Sequence, residues 1–109
     1  MQNREIAYTT VLTDMDRVKT RMRRLGHKIL EFSVQYEALI RGRWRRVTRF
    51  DSMHGSPHRH TFYDKGKEYK QPFPCSSNNA GLTKAQKIIR DNYHSMRSNY
   101  LTQSRKESL

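Results

Sequence analysis

The sequence predicts an α+β domain, in which an antiparallel sheet of three to four strands carries an N-terminal and a C-terminal helix on one face. Three observations lead there. Apolar residues recur at helical spacing towards both ends of the chain, they alternate with a period of two in its middle, and glycine-bearing turns separate the alternating runs. A chain of 109 residues has room for one domain and one modest core. That domain is expected over residues 1–102, with 103–109 as a polar flexible tail.

The first eight residues suggest only a short edge strand or arm. From Thr13 onward, Met15, Val18, Met22, Leu25 and Ile29 are spaced three, four, three and four apart, which predicts a helix with one apolar stripe. Thr13 is its expected cap, Asp14 and Asp16 suit its first turn, and Arg21, Arg23 and Arg24 suit its last. Gly26 is the expected stop, so Ile29 passes to the next element. The basic side of this helix also suits phosphates. Between Leu30 and Ile40 the period becomes two: Leu30, Phe32, Val34, Tyr36, Ala38 and Ile40 share one face, with Glu31, Ser33, Gln35 and Glu37 opposite.

Arg41-Gly42-Arg43 reads as a reversal. The run from Trp44 to Phe50 is expected to place Trp44, Arg46, Thr48 and Phe50 on one face and Arg45, Val47 and Arg49 on the other. A third strand is expected from His58 to Tyr63, a turn at Asp64–Lys67, and a short strand from Glu68 to Gln71 before Pro72 and Pro74 interrupt pairing. Residues 72–81 read as a linker. A second helix is expected from Thr83, where Thr83 and Gln86 have capping-box spacing. Its stripe would be Ala85, Ile88, Ile89, Asn92, Tyr93, Met96 and Tyr100.

The 22 Lys and Arg residues outnumber the 10 Asp and Glu, for a formal charge of +12. Such a surface attracts polyanions, so RNA or another polyanion is the expected partner. Cys75 is the single cysteine, which rules out an intramolecular disulfide and a Cys-rich zinc site. No run approaches 18 consecutive apolar residues and the N-terminus has no apolar signal segment. The expectation is therefore no membrane span and a cytoplasmic location. Walker, dinucleotide-binding and Gly-x-Ser-x-Gly motifs are all missing from the sequence.

The chemistry-bearing segment lies between the second and third expected strands. It holds Arg49, Asp51, His54, His58, Arg59 and His60. His58 and His60, two apart, share a face in a continuous strand while Arg59 points away. Two imidazoles and a guanidinium are the groups that metal-independent RNA cleavage needs. One histidine takes the 2′-hydroxyl proton, another protonates the leaving oxygen, and an arginine offsets the developing charge. In this reading His58 and His60 transfer protons, Arg59 or Arg49 clamps phosphate, and Asp51 orients an imidazole; His54 can stand in for His60. No cofactor is required. A competing reading gives His54, His58, His60 and Asp51 a metal ion. Around the preceding hairpin, Arg41, Arg43, Arg45 and Arg46 can contact phosphate, and Trp44 can stack on a base or serve as a core residue.

The run from Trp44 to His60 resembles the TumE-like toxins of prokaryotic toxin–antitoxin pairs, in which an Arg-aromatic-Asp turn precedes His-Arg-His. The matching positions are Arg49, Phe50, Asp51, Gly55, His58, Arg59 and His60, with Phe50 and Ser52 departing from the usual Tyr and Asn. The resemblance implies a small cytoplasmic α+β protein that inhibits cell growth and is encoded with an antitoxin; the charge and the histidine segment, rather than the resemblance, supply the expectation that such a toxin acts on or binds RNA. The cationic surface and small core favour either a second copy of the chain, across a sheet edge or a helix, or an acidic antitoxin as the partner. The helix–three strands–helix order is also similar to the double-stranded RNA-binding domain, which implies a basic binding or regulatory protein without catalysis.

Overall fold

A computed structural model of the chain describes residues 2–53 and 55–107, with side chains described through residue 102. Six strands follow one another as β1 (Arg4–Thr13), β2 (Asp16–Leu25), β3 (Lys28–Ile40), β4 (Arg43–Asp51), β5 (His58–Phe62) and β6 (Glu68–Pro72). Among the described residues a single helix, α1 (Asn78–Glu107), follows them. The strands form one antiparallel sheet in sequence order. This corrects the expected fold: there is no N-terminal helix among the described residues, and the sheet has six strands rather than three or four.

The expected first helix is the strand β2 because its core face mixes polar and apolar residues. Asp16, Val18 and Thr20 are buried and Met22 half-buried on alternate positions, while Arg17, Lys19, Arg21 and Arg23 occupy the positions between. The period of two was thus carried by cations, and the apolar residues alone mimicked a helix. Gly26 is a turn residue rather than a helix stop. Its φ of 60° at the first of two turn positions suits the Gly26-His27 connection from β2 to β3. Arg41-Gly42 forms the next two-residue turn with φ of 52° and 76°, and the Arg41 side chain is held by Asp64.

Bulges revise two faces. Leu30 is the extra residue where β3 meets β2, so Ile29 rather than Leu30 joins Phe32, Val34, Tyr36, Ala38 and Ile40 in the core. Val47 is the extra residue of β4. Trp44 and Arg46 consequently lie on the face of Arg49 and Asp51, opposite to Thr48 and Phe50. Trp44 is 37% exposed, with Arg17 stacked 4.0 Å from its ring centroid, so it is not a core residue.

Helix α1 begins at Asn78, five residues before the expected Thr83. Ser77 is its cap, its hydroxyl accepting the Ala80 N–H at 3.1 Å. Asn79 accepts the Ile29 N–H and donates to the His27 carbonyl, while Asn78 donates to the carbonyls of Ile29 and Leu30. What reads as a polar linker is therefore a clasp on the β2–β3 turn and bulge. The helix continues to Glu107, past the expected start of the tail. Leu82, Ala85, Ile89, Met96 and Tyr100 are buried against the sheet, chiefly β3. Asn92, expected in that stripe, is exposed and donates back to the Ile88 carbonyl.

A polar cluster fixes the far half of the helix. Buried Asp16 accepts from the Tyr36 and Thr13 hydroxyls, and Arg97 reaches Asp16 at 3.6 Å and the Leu39 carbonyl at 3.0 Å. Burial, reinforced by the Asp16 carboxylate, holds the Tyr36 phenol far above its usual range, so it remains a donor. Tyr36→Phe is expected to cost about 1–3 kcal/mol in chemical denaturation by leaving Asp16 under-paired. An unchanged midpoint would remove this cluster from the account. Gly81 packs against β3 so closely that an added Cβ would lie 2.8 Å from Cys75 Sγ and 3.1 Å from the Phe32 ring. Gly81→Ala is expected to destabilise by about 1–3 kcal/mol despite its better helix propensity, and a gain in stability would contradict this close approach.

Candidate functional site

Because α1 covers only one side of the sheet, residues on the other side meet solvent. Cross-strand pairing places Arg17, Lys19, Arg21 and Arg23 of β2 on this helix-free face, beside Glu31, Ser33, Gln35 and Glu37 of β3. Arg46, Arg49 and Asp51 of β4, His58 and His60 of β5, and Glu68 and Lys70 of β6 complete it. A cavity of about 630 Å³ opens on this side, lined by Arg21, Arg23, Ser33, Arg49, Asp51, Met53, His60 and Lys70 among others.

At the β4–β6 side of the face, one chain of polar contacts runs across three strands. Arg49 Nε donates to Asp51 Oδ2 at 2.8 Å, Asp51 Oδ2 lies 3.2 Å from His60 Nε2, and His60 Nδ1 lies 2.6 Å from Glu68 Oε1. His60 is 7% exposed. Its ring stacks near-parallel to Phe62, over which the guanidinium groups of Arg46 and Arg49 lie at 4.4 and 5.6 Å. These arginine stems and planes shield an apolar ring that would otherwise face water. A neutral imidazole has one N–H and can serve only one of its two carboxylate neighbours, whereas an imidazolium can serve both.

The expected site residues divide accordingly. Arg49, Asp51, His58 and His60 are brought onto one face, with His58 opposite Asp51 and His60 opposite Arg49. Arg59 is on the other face, its guanidinium 5.1 Å from the Phe50 ring centroid. Its Nε is buried without a partner, and desolvation pulls its pKa down. It therefore shares no surface with the two histidines. His54 lies outside the described residues. Among the described residues, no group of three or more His, Cys, Asp and Glu is placed to hold a metal ion.

The arginines of the β3–β4 hairpin also separate. Trp44 and Arg46 lie on the helix-free face, Arg43 and Arg45 on the helix side, and Arg41 in the turn. Sequence reasoning missed Glu68 as the second partner of His60, and the β2 row as a strand face. Both had signals: the turn at Asp64–Lys67 folds Glu68 back opposite Phe62, and cations occupy alternate positions from 17 to 23.

The His60 hydrogen bond, the largest influence on Glu68, draws that carboxyl below its ordinary value of 4.5. A depressed folded-state value contributes stability above pH 4.5 that is lost as pH falls through the lower folded value. Carbon-detected NMR titration is expected to place the Glu68 midpoint below 4.5, and His60→Ala to raise it. A midpoint indifferent to that substitution would show that the pair does not form.

No helix among the described residues is long and apolar enough to cross a membrane. Neither a curated protein nor a solved structure matches the chain. One protein family does, described as "Domain of unknown function (DUF7718)", and its match extends over residues 1–106. Since that match takes in the whole meander and nearly all of α1, the chain belongs to the DUF7718 family.

Proposed function

We propose that this domain binds RNA or a comparable polyanion across the helix-free face of its sheet. The observation that carries the reading is the row Arg17, Lys19, Arg21 and Arg23 on alternate residues of β2, with Arg46, Arg49 and Lys70 on the same face. Several of these cations are already paired: Arg17 with Glu37 at 2.7 Å, Arg23 with Glu31 at 2.8 Å and Arg49 with Asp51 at 2.8 Å. The Arg23–Glu31 pair, partly exposed on both sides, is worth only about 0–1 kcal/mol, so an incoming phosphate can compete for that cation. Glu37 and Asp51 are buried, so Arg17 and Arg49 keep these partners and meet a phosphate through their remaining N–H groups. Trp44, half-exposed under Arg17, offers an aromatic plane to an unpaired base.

Binding is favoured over cleavage by the state of His60, since each ring nitrogen already faces a carboxylate. Cleavage remains a second reading because His58, His60 and Arg49 share a face, the arrangement that proton transfer at a phosphate requires. The toxin-like reading rests on the sequence resemblance between Arg49 and His60, and is tested by following growth of a host that expresses the protein.

The direct test is single-stranded RNA binding against salt concentration. Each lost phosphate contact should flatten the log–log slope by about 0.7. Arg21→Glu with Lys70→Glu is expected to weaken binding at least tenfold, whereas Arg43→Ala with Arg45→Ala on the helix side should change it little. Equal losses from both pairs would move the interface off this face. RNA cut in EDTA by the wild type and spared by His58→Ala would replace the binding reading with the catalytic one.

A further inference from the structure

The two edges of the sheet are unlike. β6 has five residues, carries Lys70 and ends at Pro72, all of which discourage another strand from pairing. β1 has ten residues and no proline or lysine, and from Ile6 to Thr13 it carries no charge. Its side chains are mostly exposed, Tyr8 by 44% and Val11 by 72%. A second, smaller hollow of about 240 Å³ runs beside it on the helix side, lined by Tyr8, Thr10, Leu12, Val18, Gln86 and Arg90 among others. A long uncharged strand left open at an edge is a template for pairing.

We propose that β1 pairs antiparallel with β1 of a second copy of this chain, joining two sheets into one of twelve strands. A second copy suits this edge for two reasons. Two chains of formal charge +12 repel, and β1 is the edge on which they can meet without opposing charges. The edge is also self-complementary. A two-fold axis perpendicular to the sheet pairs residues of like face, and centring it on Thr9 sets Ala7 opposite Val11 and Ile6 opposite Leu12, with Tyr8 opposite Thr10. Centring it on Tyr8 instead would set Glu5 against Val11 and Arg4 against Leu12. The bulge at Leu12 falls at the rim of the paired segment.

The blunt β6 edge stops further addition, so the assembly closes at two copies. That axis also keeps both helix-free faces on one side. The two β2 rows then stand about 14 Å apart, three strand spacings, and make one wider cationic surface. The pairing itself does not depend on what that surface binds.

The test is cysteine cross-linking of the full chain in a Cys75→Ser background, with sedimentation of the wild type. Thr9→Cys sits on the axis, with Cβ atoms about 4.5–5.5 Å apart, and is expected to oxidise to a covalent dimer. Val11→Cys lies four residues out of register with its own copy, about 14 Å, and is expected to stay reduced. Sedimentation of the wild type should show a dimer whose share rises with added salt, opposite in sign to RNA binding. A wild-type monomer at every concentration, or cross-linking at Val11 as fast as at Thr9, would overturn the proposal. Val11→Lys, at a position already exposed, should dissociate the dimer with its fold intact by circular dichroism; an undiminished dimer would equally refute it.

Discussion

Among the described residues a single helix has a six-stranded sheet to cover, and it packs chiefly on β2 to β4, on one side only. The rest of the structure follows from that shortage. The sheet can tolerate a bare face only if the face is polar, and here it is polar through alternating cations on β2 and, on β3, Glu31, Ser33, Gln35 and Glu37. Where an aromatic residue does point to that side, as Phe62 does, arginine planes and the His60 ring close over it. The same groups that hide Phe62 thereby assemble the Arg49–Asp51–His60–Glu68 chain. Its contacts explain the low exposure of His60 without any appeal to catalysis.

The helix side is secured by polar groups as well as by its apolar stripe. Asn78 and Asn79 clamp the start of α1 to the β2–β3 turn, and Arg97 clamps its later turns to Asp16 and Leu39. These contacts fix both where the helix lies and how far it reaches. The strands at either end of the sheet gain least from it. β6 is therefore blunted by its own composition, while β1 remains a pairing surface.

What could be read in advance was the part where hydrophobicity and period agree. The alternation through β3 is unbroken from Phe32 to Ile40, and the turns at Arg41-Gly42 and Asp64–Lys67 carry their own residues. β2 was illegible because Asp16 and Thr20 occupy core positions, where Tyr36, Arg97 and Gln86, distant in sequence, join the nearby Thr13 in making them tolerable. The start of α1 was obscured in the same way, since Asn78 and Asn79 look like linker until the turn they hold is in place. At the site, the sharing of a face by His58 and His60 follows from strand period alone. The position of Trp44 does not, because a bulge at Val47 exchanges the faces of everything before it. Arg59 was separable from the histidines by period, but its burial over Phe50 needed the fold.

Backbone amide mapping distinguishes a polyanion bound on the helix-free face, as proposed, from one bound along α1. Titrating a short single-stranded RNA into isotopically labelled protein should shift Lys19, Arg21, Arg49 and Lys70 together, and leave Lys84, Lys87 and Arg90 of α1 unmoved. Shifts concentrated on α1, with β2 and β4 silent, would put the polyanion on the helix and refute binding at the helix-free face.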